Sequence, residues 1–198
     1  MISGKEGRKN EQNLRKWIGR LYDLYAPRLL SLCLRYCGNR EDAEDVLQEG
    51  FIKILRHLGH FKSQSPGSLE AWMKRIMVNT ALNHLRDHAK DRLMLSIETY
   101  LERDDLIDEP EEDPDLLWKS IITKDQLMDM ICALPPGYRT VFNLYVMEEY
   151  THKEIAELLN CSENTSKSQL SKARALLRKR LKDYLKSKGY EKPTLSYR

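Results

Sequence analysis

Residues 151–178, THKEIAELLNCSENTSKSQLSKARALLR, decide the fold of the C-terminal part of this chain. Thr151 followed three residues later by Glu154 predicts a capping box, in which each side chain accepts a hydrogen bond from the other residue's backbone N–H at a helix start. Residues 160–162 predict a tight turn, and a second helix is expected from Glu163 to about Leu185. Two helices joined by a short turn, the second rich in Ser, Lys and Arg, indicate a DNA-binding helix-turn-helix.

The second helix of this motif divides into an apolar and a polar face. Ser162 is expected to cap it. The positions expected to point inward are Thr165, Leu170, Ala173, Leu176 and Leu177. The positions expected to face DNA are Lys167, Ser168, Ser171, Lys172, Arg174 and Arg178. An ordinary basic surface helix is the alternative interpretation, which the cap, the turn and their spacing together disfavour.

The rest of the chain reads as helices without a convincing strand, so the predicted fold class is all-α. Gly38 and Asn39 should end the first helix and cap the second, and Ser68 should cap the third. Pro27 should kink the first helix or restart it. The apolar face of the first helix includes Trp17 and Leu24. The helices are expected at about 14–36, 40–58, 69–88, 124–132 and 138–146, ahead of the two in the motif.

The charge distribution predicts two small domains and a linker. The net charge is +6 over residues 1–97, −9 over 98–118 and +6 over 119–198. The middle segment contains two prolines in the run DDLIDEPEEDPD and is expected to be a solvated acidic linker. Two basic domains of under 100 residues each fit a chain of 198 residues and suggest a polyanionic partner.

Several classes of protein are disfavoured by the same sequence. The polar N-terminus MISGKEGRKNEQN predicts no signal peptide, and no apolar run approaches membrane-spanning length. The four cysteines are expected to be free thiols rather than a disulfide framework. We expect no metal site and no cofactor. The pair His84 and His88 lacks the glutamate of a metalloprotease helix, since Leu85 occupies that position, and is expected on a polar face.

Two polar stripes stand out on the second and third predicted helices. The first has spacing i, i+3, i+4 and i+7, so its members share one outward face: Asp45, Gln48, Glu49 and Ile52. The second follows i, i+4, i+8, i+11 and i+15, opposite Trp72, Met73, Ile76 and Thr80: Arg75, Asn79, Asn83, Arg86 and Lys90. Amides can pair with base edges and arginines with phosphates. An enzyme using Glu41, Asp45 and Glu49 as metal ligands is disfavoured because no nucleophile or further ligands accompany them.

Three segments together resemble a known family. They are LYDLYAPRLLSLCLRYCGNREDAEDVLQEGFIKILRHL (21–58), LEAWMKRIMVNTALNHLRDH (69–88) and LPPGYRTVFNLYVMEEYTHKEIAELLNCSENTSKSQLSKARALLRK (134–179). In this order they resemble regions 2 and 4 of the extracytoplasmic-function (ECF) group of bacterial sigma-70 factors. The likeness covers about Leu14 to Lys90 and Lys124 to Lys182.

The resemblance implies a transcription initiation factor with no enzymatic activity, acting in the cytoplasm. It implies that residues 1–97 form region 2, which binds core RNA polymerase through the Asp45 stripe and the −10 promoter element through the Arg75 stripe. The loop His60 to Ser68 would close over a base flipped out of the −10 strand. Residues 119–198 would form region 4, whose helix-turn-helix binds the −35 element, and residues 98–118 would thread through the polymerase. An anti-sigma factor is expected on family grounds.

A second function remains open from the residues alone. A DNA-binding regulator with a helical effector or dimerisation domain before its helix-turn-helix would show much of the same pattern. Such a protein would bind promoter DNA as a dimer and without core polymerase.

Overall fold

The chain folds into two compact helical units, divided after Leu85. The computed structural model describes residues 4–63, 65–88 and 122–189, with only the backbone for residues 4–14. All regular structure in these ranges is helical. The predicted all-α fold with two helical domains is therefore confirmed. The proposed domain boundaries at 97 and 119, and the acidic linker 98–118 between them, lie outside the described residues.

Among the described residues, the first unit has three helices and the second has four. In the first unit they are α1 (Gly4–Cys37), α2 (Arg40–His57) and α3 (Ser68–Asp87), with a 3₁₀ turn, Leu58–His60, after α2. In the second they are α4 (Lys124–Cys132), α5 (Pro136–Phe142), α6 (His152–Leu159) and α7 (Glu163–Ser187), with a π-helical turn, Asn143–Met147, after α5.

Helix α1 is longer and more continuous than the sequence predicts. It begins at Gly4 rather than near Leu14, and it passes through Pro27 without restarting. Proline's fixed φ is compatible with a helix, but inside one it removes an N–H donor and its ring crowds the carbonyl four residues back. The buried neighbours Ala26 and Leu29 pack on either side of Pro27 in the sequence, so tertiary contacts hold the helix through this position.

The predicted apolar face of α1 is wrong at two positions. Trp17 is 44% exposed and Leu24 is 65% exposed. Within residues 15–37, the buried face starts at Leu21 and includes Leu29 and Tyr36, on the helix that packs against α2. A helix of 34 residues is about 51 Å long and one of 18 residues is about 27 Å long, so α2 cannot cover the whole of α1.

Local sequence signals end α1 and start α2 as predicted. Gly38 has φ of 80°, the left-handed conformation that ends helices, and its N–H bonds to the carbonyl of Leu34. Asn39 caps α2 by accepting from the N–H of Asp42 at 2.8 Å. Ser68 differs from its prediction, because it is the first helical residue and the carbonyl of Gly67 accepts the first bond, from Ala71 at 3.1 Å.

Helix α3 docks closely on α2 at Gly50. A Cβ atom at Gly50 would lie 2.3 Å from the sulfur of Met77, which is fully buried. Lys53 of α2 also reaches across to the hydroxyl of Thr80, with its Nζ 3.3 Å from Oγ1. This close packing turns the polar stripes of α2 and α3 outward.

In the second unit, two arginines donate hydrogen bonds to backbone carbonyls at the C-terminal end of α4. Arg139, only 6% exposed, donates from Nη1 to the carbonyls of Cys132 at 2.6 Å and Leu134 at 3.2 Å. Arg180 of α7 donates to the carbonyls of Met130 at 2.9 Å and Ala133 at 2.8 Å. These carbonyls lie at and just beyond a helix C-terminus, where intrahelical donors run out.

The segment after α4 differs from the single helix predicted over 138–146. Helix α5 starts earlier, at Pro136, because proline suits the first turn of a helix. It then widens into the π-helical turn, whose end is marked by the N–H of Glu148 bonding to the carbonyl of Asn143 five residues back. Glu149 follows with φ of 60° and leads the chain into α6.

Candidate functional sites

The helix-turn-helix forms with the caps that the sequence predicts. In the box at the start of α6, the N–H of Glu154 donates to Thr151 Oγ1 at 3.3 Å, and the N–H of Thr151 donates to Glu154 Oε2 at 2.8 Å. The turn uses Asn160 in the left-handed conformation, with φ of 52°. Ser162 Oγ then accepts from the N–H of Thr165 at 3.0 Å and caps α7.

The inward residue near the start of α7 is Ser166, not Thr165. Thr165 is exposed, because its N–H and its hydroxyl both bond to Ser162 in the cap. Ser166 is fully buried, and its Oγ lies 2.9 Å from Nδ1 of His152, the first residue of α6. This hydrogen bond joins the two helices of the motif, and Leu170 and Ala173 continue the buried face.

The candidate −35 residues lie along the outer side of α7. Lys167, Ser171 and Arg174 are exposed and fall on one stripe at i, i+4 and i+7, and half-buried Arg178 continues it. Exposed Ser168 and half-buried Lys172 flank this stripe. The guanidinium of Arg174 lies over the ring of Tyr145, 5.9 Å from its centroid.

The four candidate polymerase-binding residues share one exposed face of α2. Asp45, Gln48 and Glu49 are exposed, and Ile52 exposes 49% of its surface among them. Glu49 is 2.7 Å from Nζ of Lys53. An apolar side chain surrounded by polar groups is what a docking surface needs, since it can be buried by a partner while the rim stays hydrated.

The polar stripe on α3 is exposed at every described position. Arg75, Asn79, Asn83 and Arg86 all face outward, and Lys90 lies outside the described residues. Met73 and Thr80 are buried on the opposite side, and Ile76 is half-buried there. Trp72 is half-buried, and its ring centroid lies 5.1 Å from that of Phe61, which follows the 3₁₀ turn after α2.

His84 is not on the polar face where the sequence places it. Its side chain is 12% exposed, and its Nε2 lies 3.5 Å from Oδ1 of Asp42 at the start of α2. Asp42 also accepts from the amide of Asn39 at 2.6 Å. The pair therefore ties the last turn of α3 to the first turn of α2, whereas His88 is exposed.

The cysteines are free, as predicted. Burial, and secondly the neighbouring Cys37, raise the pKa of Cys33 to about 12. Cys33 therefore remains a protonated thiol at neutral pH. Among the described residues, no group of three His, Cys, Asp or Glu side chains could hold a metal ion. None of the described helices is both long and apolar enough to span a membrane.

Sequence reasoning missed two residues beside the −35 stripe. Tyr145 lies in the π-helical turn, and its ring stacks on His152 with centroids 4.5 Å apart. The 3.6-residue periodicity that predicts helices does not predict a π-helical turn, so Tyr145 could not be placed. The sequence indicated of His152 only that it follows the predicted N-cap residue Thr151.

Comparison with known proteins identifies the family. The family model of sigma-70 region 2 matches residues 21–91, and the model of sigma-70 region 4 matches residues 124–177. The chain is 30% identical to the RNA polymerase sigma factor SigV of Bacillus subtilis over 148 residues, which cover 74% of this chain and 80% of SigV. It is 28% identical to the ECF RNA polymerase sigma factor SigW of the same species, over 82% of this chain and 88% of SigW.

A third relative is longer. The chain is 29% identical to the ECF RNA polymerase sigma factor SigE of Mycolicibacterium smegmatis, over 81% of this chain but only 58% of SigE. The two matched regions occur in the order of the two described units, all three relatives are named RNA polymerase sigma factors, and SigW and SigE are named as ECF factors. The chain therefore belongs to the extracytoplasmic-function group of the sigma-70 family of RNA polymerase sigma factors.

Proposed function

We propose that this chain is an alternative sigma factor that binds core RNA polymerase, recognises −35 and −10 promoter elements and promotes melting of the duplex. The observation that carries this proposal is the presence of two different exposed faces in two separate units. One is acidic with an exposed isoleucine, on α2, and the other is basic, on α7 of the helix-turn-helix. A repressor or activator that acts alone needs only the second face.

The α2 face suits a basic partner with an apolar centre. Ile52 would be buried by the partner, and its transfer from water supplies affinity at about 25 cal/mol per Å² of apolar surface. Asp45 and Glu49 would attract basic side chains around it, and Gln48 would bond without a charge requirement. We infer that the partner is a basic helical hairpin of core RNA polymerase.

The α3 and α7 faces would divide the promoter between them. The basic stripe of α7 would enter the major groove of the −35 element, with Lys167, Ser168, Ser171 and Lys172 towards bases and Arg174 and Arg178 towards phosphates. On α3, Asn79 and Asn83 would hydrogen-bond an extruded −10 base, and the set Arg75, Arg86 and Lys90 would hold the backbone. The loop between α2 and α3 would close over that base.

The same role implies where and how the protein acts. It would act in the cytoplasm, where RNA polymerase transcribes, and it would catalyse no reaction and need no cofactor. Residues 1–97 and 119–198 would act as separate domains, with the acidic segment 98–118 threading through the polymerase. An anti-sigma factor would cover one of the exposed faces until the inducing signal arrives.

Transcription from a reconstituted system tests this function. Core polymerase with the purified chain is given linear templates that carry a randomised upstream region, and the run-off transcripts are sequenced. We expect transcripts enriched in shared −35 and −10 sequences, which core polymerase alone does not produce. If the chain selects duplexes by itself as a dimer and adding core polymerase yields no selective transcripts, the protein is a helix-turn-helix regulator instead.

A further inference from the structure

A cluster of four side chains joins the π-helical turn, α6 and α7 beside the −35 stripe. The ring of His152 stacks on that of Tyr145, with centroids 4.5 Å apart and planes inclined by 24°. Arg174 lies over the same tyrosine ring, 5.9 Å from its centroid, and Ser166 Oγ holds Nδ1 of His152 at 2.9 Å. An imidazole and a guanidinium are thus positioned by one aromatic ring, at the edge of a surface that is otherwise assigned to DNA.

We propose that His152 is a phosphate-binding residue of the −35 surface, held by Ser166 and by the Tyr145 ring that Arg174 also contacts, and that it takes up a proton when DNA binds. This inference rests on the proposed binding of −35 DNA by α7. It adds to that proposal a contact from α6, which none of the predicted DNA-binding residues supplies, and a dependence of DNA affinity on pH.

The imidazole is fixed at one nitrogen and available at the other. Nδ1 bonds to Ser166, whereas Nε2 has no hydrogen-bond partner among the described residues and is not enclosed by them. Ser166 is a suitable support because a hydroxyl both donates and accepts. It can donate to Nδ1 of the neutral ring and accept from Nδ1–H of the charged ring, so protonation leaves the geometry in place.

The charges around His152 explain why DNA would change its protonation. In the free protein its pKa is lowered below 6.5, first by burial and then by the positive charges of Lys167 and Arg174, against which Glu163 acts. Lys153 and Glu154 are the charged neighbours in its own helix, and Tyr145 contributes an uncharged ring. A DNA phosphate would neutralise the two cations and attract the imidazolium directly, so the pKa rises in the complex.

The sign of the linkage follows from these two directions. Because the pKa is lower in the free protein than in the complex, the complex holds more protons in the window between the two values. DNA affinity is therefore highest below the free-state value and falls as pH rises through the bound-state value. The logarithm of affinity can fall by up to about one unit per pH unit in that window, since one proton is involved.

The full-length chain and a fluorescein-labelled duplex of mixed sequence provide the test, because a phosphate contact needs no particular promoter. Fluorescence anisotropy gives the affinity between pH 5.5 and 8.5, which spans about three units around the ordinary histidine value, at constant low ionic strength. His152→Gln keeps an amide that can bond to Ser166 but cannot be protonated. His88→Gln, at an exposed position directly after α3, is the matched control for loss of a histidine.

We expect the affinity of the wild type and of His88→Gln for the duplex to fall as pH rises. For His152→Gln, the slope of log affinity against pH should be shallower by up to about one unit per pH unit, because one proton is involved. In NMR spectra of the imidazoles, the midpoint of the His152 titration should rise when the duplex is added. Equal pH slopes for wild type and His152→Gln, or a midpoint that the duplex leaves unmoved, would overturn the proposal.

A further variant separates this proposal from the one on which it rests. Arg178→Ala, which removes an expected phosphate contact outside the cluster, should weaken duplex binding at every pH if α7 faces DNA. If it does, and His152→Gln keeps the wild-type slope, only the role of His152 is wrong. If Arg178→Ala binds as tightly as the wild type, the assignment of α7 to DNA is wrong, and the inference about His152 fails with it.

Discussion

At the scale of single residues, a buried arginine shows how the second unit is held together. Arg139 is almost fully enclosed and donates to two carbonyls at the end of α4. Burying a guanidinium is unfavourable unless it is hydrogen-bonded, and these two carbonyls supply acceptors for it. The removal of the guanidinium takes both of these hydrogen bonds away from the end of α4.

We expect Arg139→Met to lower the free energy of unfolding of the second unit by about 1.5–3 kcal/mol, the range for a hydrogen bond to a charged group. Hydrogen-exchange mass spectrometry across a urea series measures this, with peptides from α1 to α3 as an internal reference. Arg178→Met is the matched control, because half-buried Arg178 has no hydrogen bond or ion pair to other described residues. Equal losses in the two variants would contradict the capping role of Arg139.

The same scale shows where the sequence is insufficient. Caps act between residues three apart, so Asn39, Thr151 and Ser162 were predictable from local chemistry and are confirmed. His84 and Ser166 each depend on a partner in another helix, Asp42 and His152 respectively. Such pairs need the packing of the helices, which a periodic pattern does not provide.

At the scale of elements, helix type and approximate length were predictable, while interruptions were not. The amphipathic pattern placed α2, α3, α4, α6 and α7 within about two residues of their ends. It did not predict the π-helical turn after α5, because that turn depends on buried contacts of Asn143 and Leu144 rather than on periodicity. The exposure of the candidate faces on α2 and α3 follows from the helical spacing of their polar residues. It can be predicted without knowing how the other helices pack.

The exposed face of α2 gives a prediction about polymerase binding. Asp45→Lys, or Gln48→Ala combined with Ile52→Ala, should weaken binding of core polymerase and leave the fold intact, since the opposite stripe with Val46 and Ile54 forms the core. Competition for core polymerase against a labelled reference sigma factor measures the effect. Asp23→Lys, a charge reversal at an exposed position of α1, is the control and should compete like the wild type. Undiminished competition by Asp45→Lys would refute the docking assignment.

The orientation of α7 in the groove is tested by comparing two of its positions. Lys167→Ala should change preference at one base position and cost about 1–3 kcal/mol there. Arg174→Ala should weaken all sequences alike and lower the dependence of binding on salt, as loss of a phosphate contact does. Selection from a randomised −35 library, with affinities at several salt concentrations, measures both. A shifted preference from Arg174→Ala, with none from Lys167→Ala, would invert this orientation.

At the scale of the whole molecule, the two units are expected to act at different steps of initiation. The second unit carries the basic helix-turn-helix, which suits binding of intact duplex. The first unit combines the proposed polymerase-docking face on α2 with a row of amide and basic side chains on α3, which would suit single-stranded DNA close to the polymerase. Variants in the two units should therefore separate promoter binding from promoter opening.

The replacement of both Asn79 and Asn83 by alanine tests that separation. Each amide offers an acceptor and two donors, enough to bond the edge of an extruded base. The double variant should bind core polymerase and −35 DNA nearly as the wild type does, because both surfaces lie elsewhere, while the fraction of open complexes falls. Permanganate reactivity of unpaired thymines measures opening, and a template with a pre-melted −10 region should restore much of the lost transcription. If the variant opens duplex promoters normally, these asparagines serve only the surface of α3, and base capture lies elsewhere in the first unit.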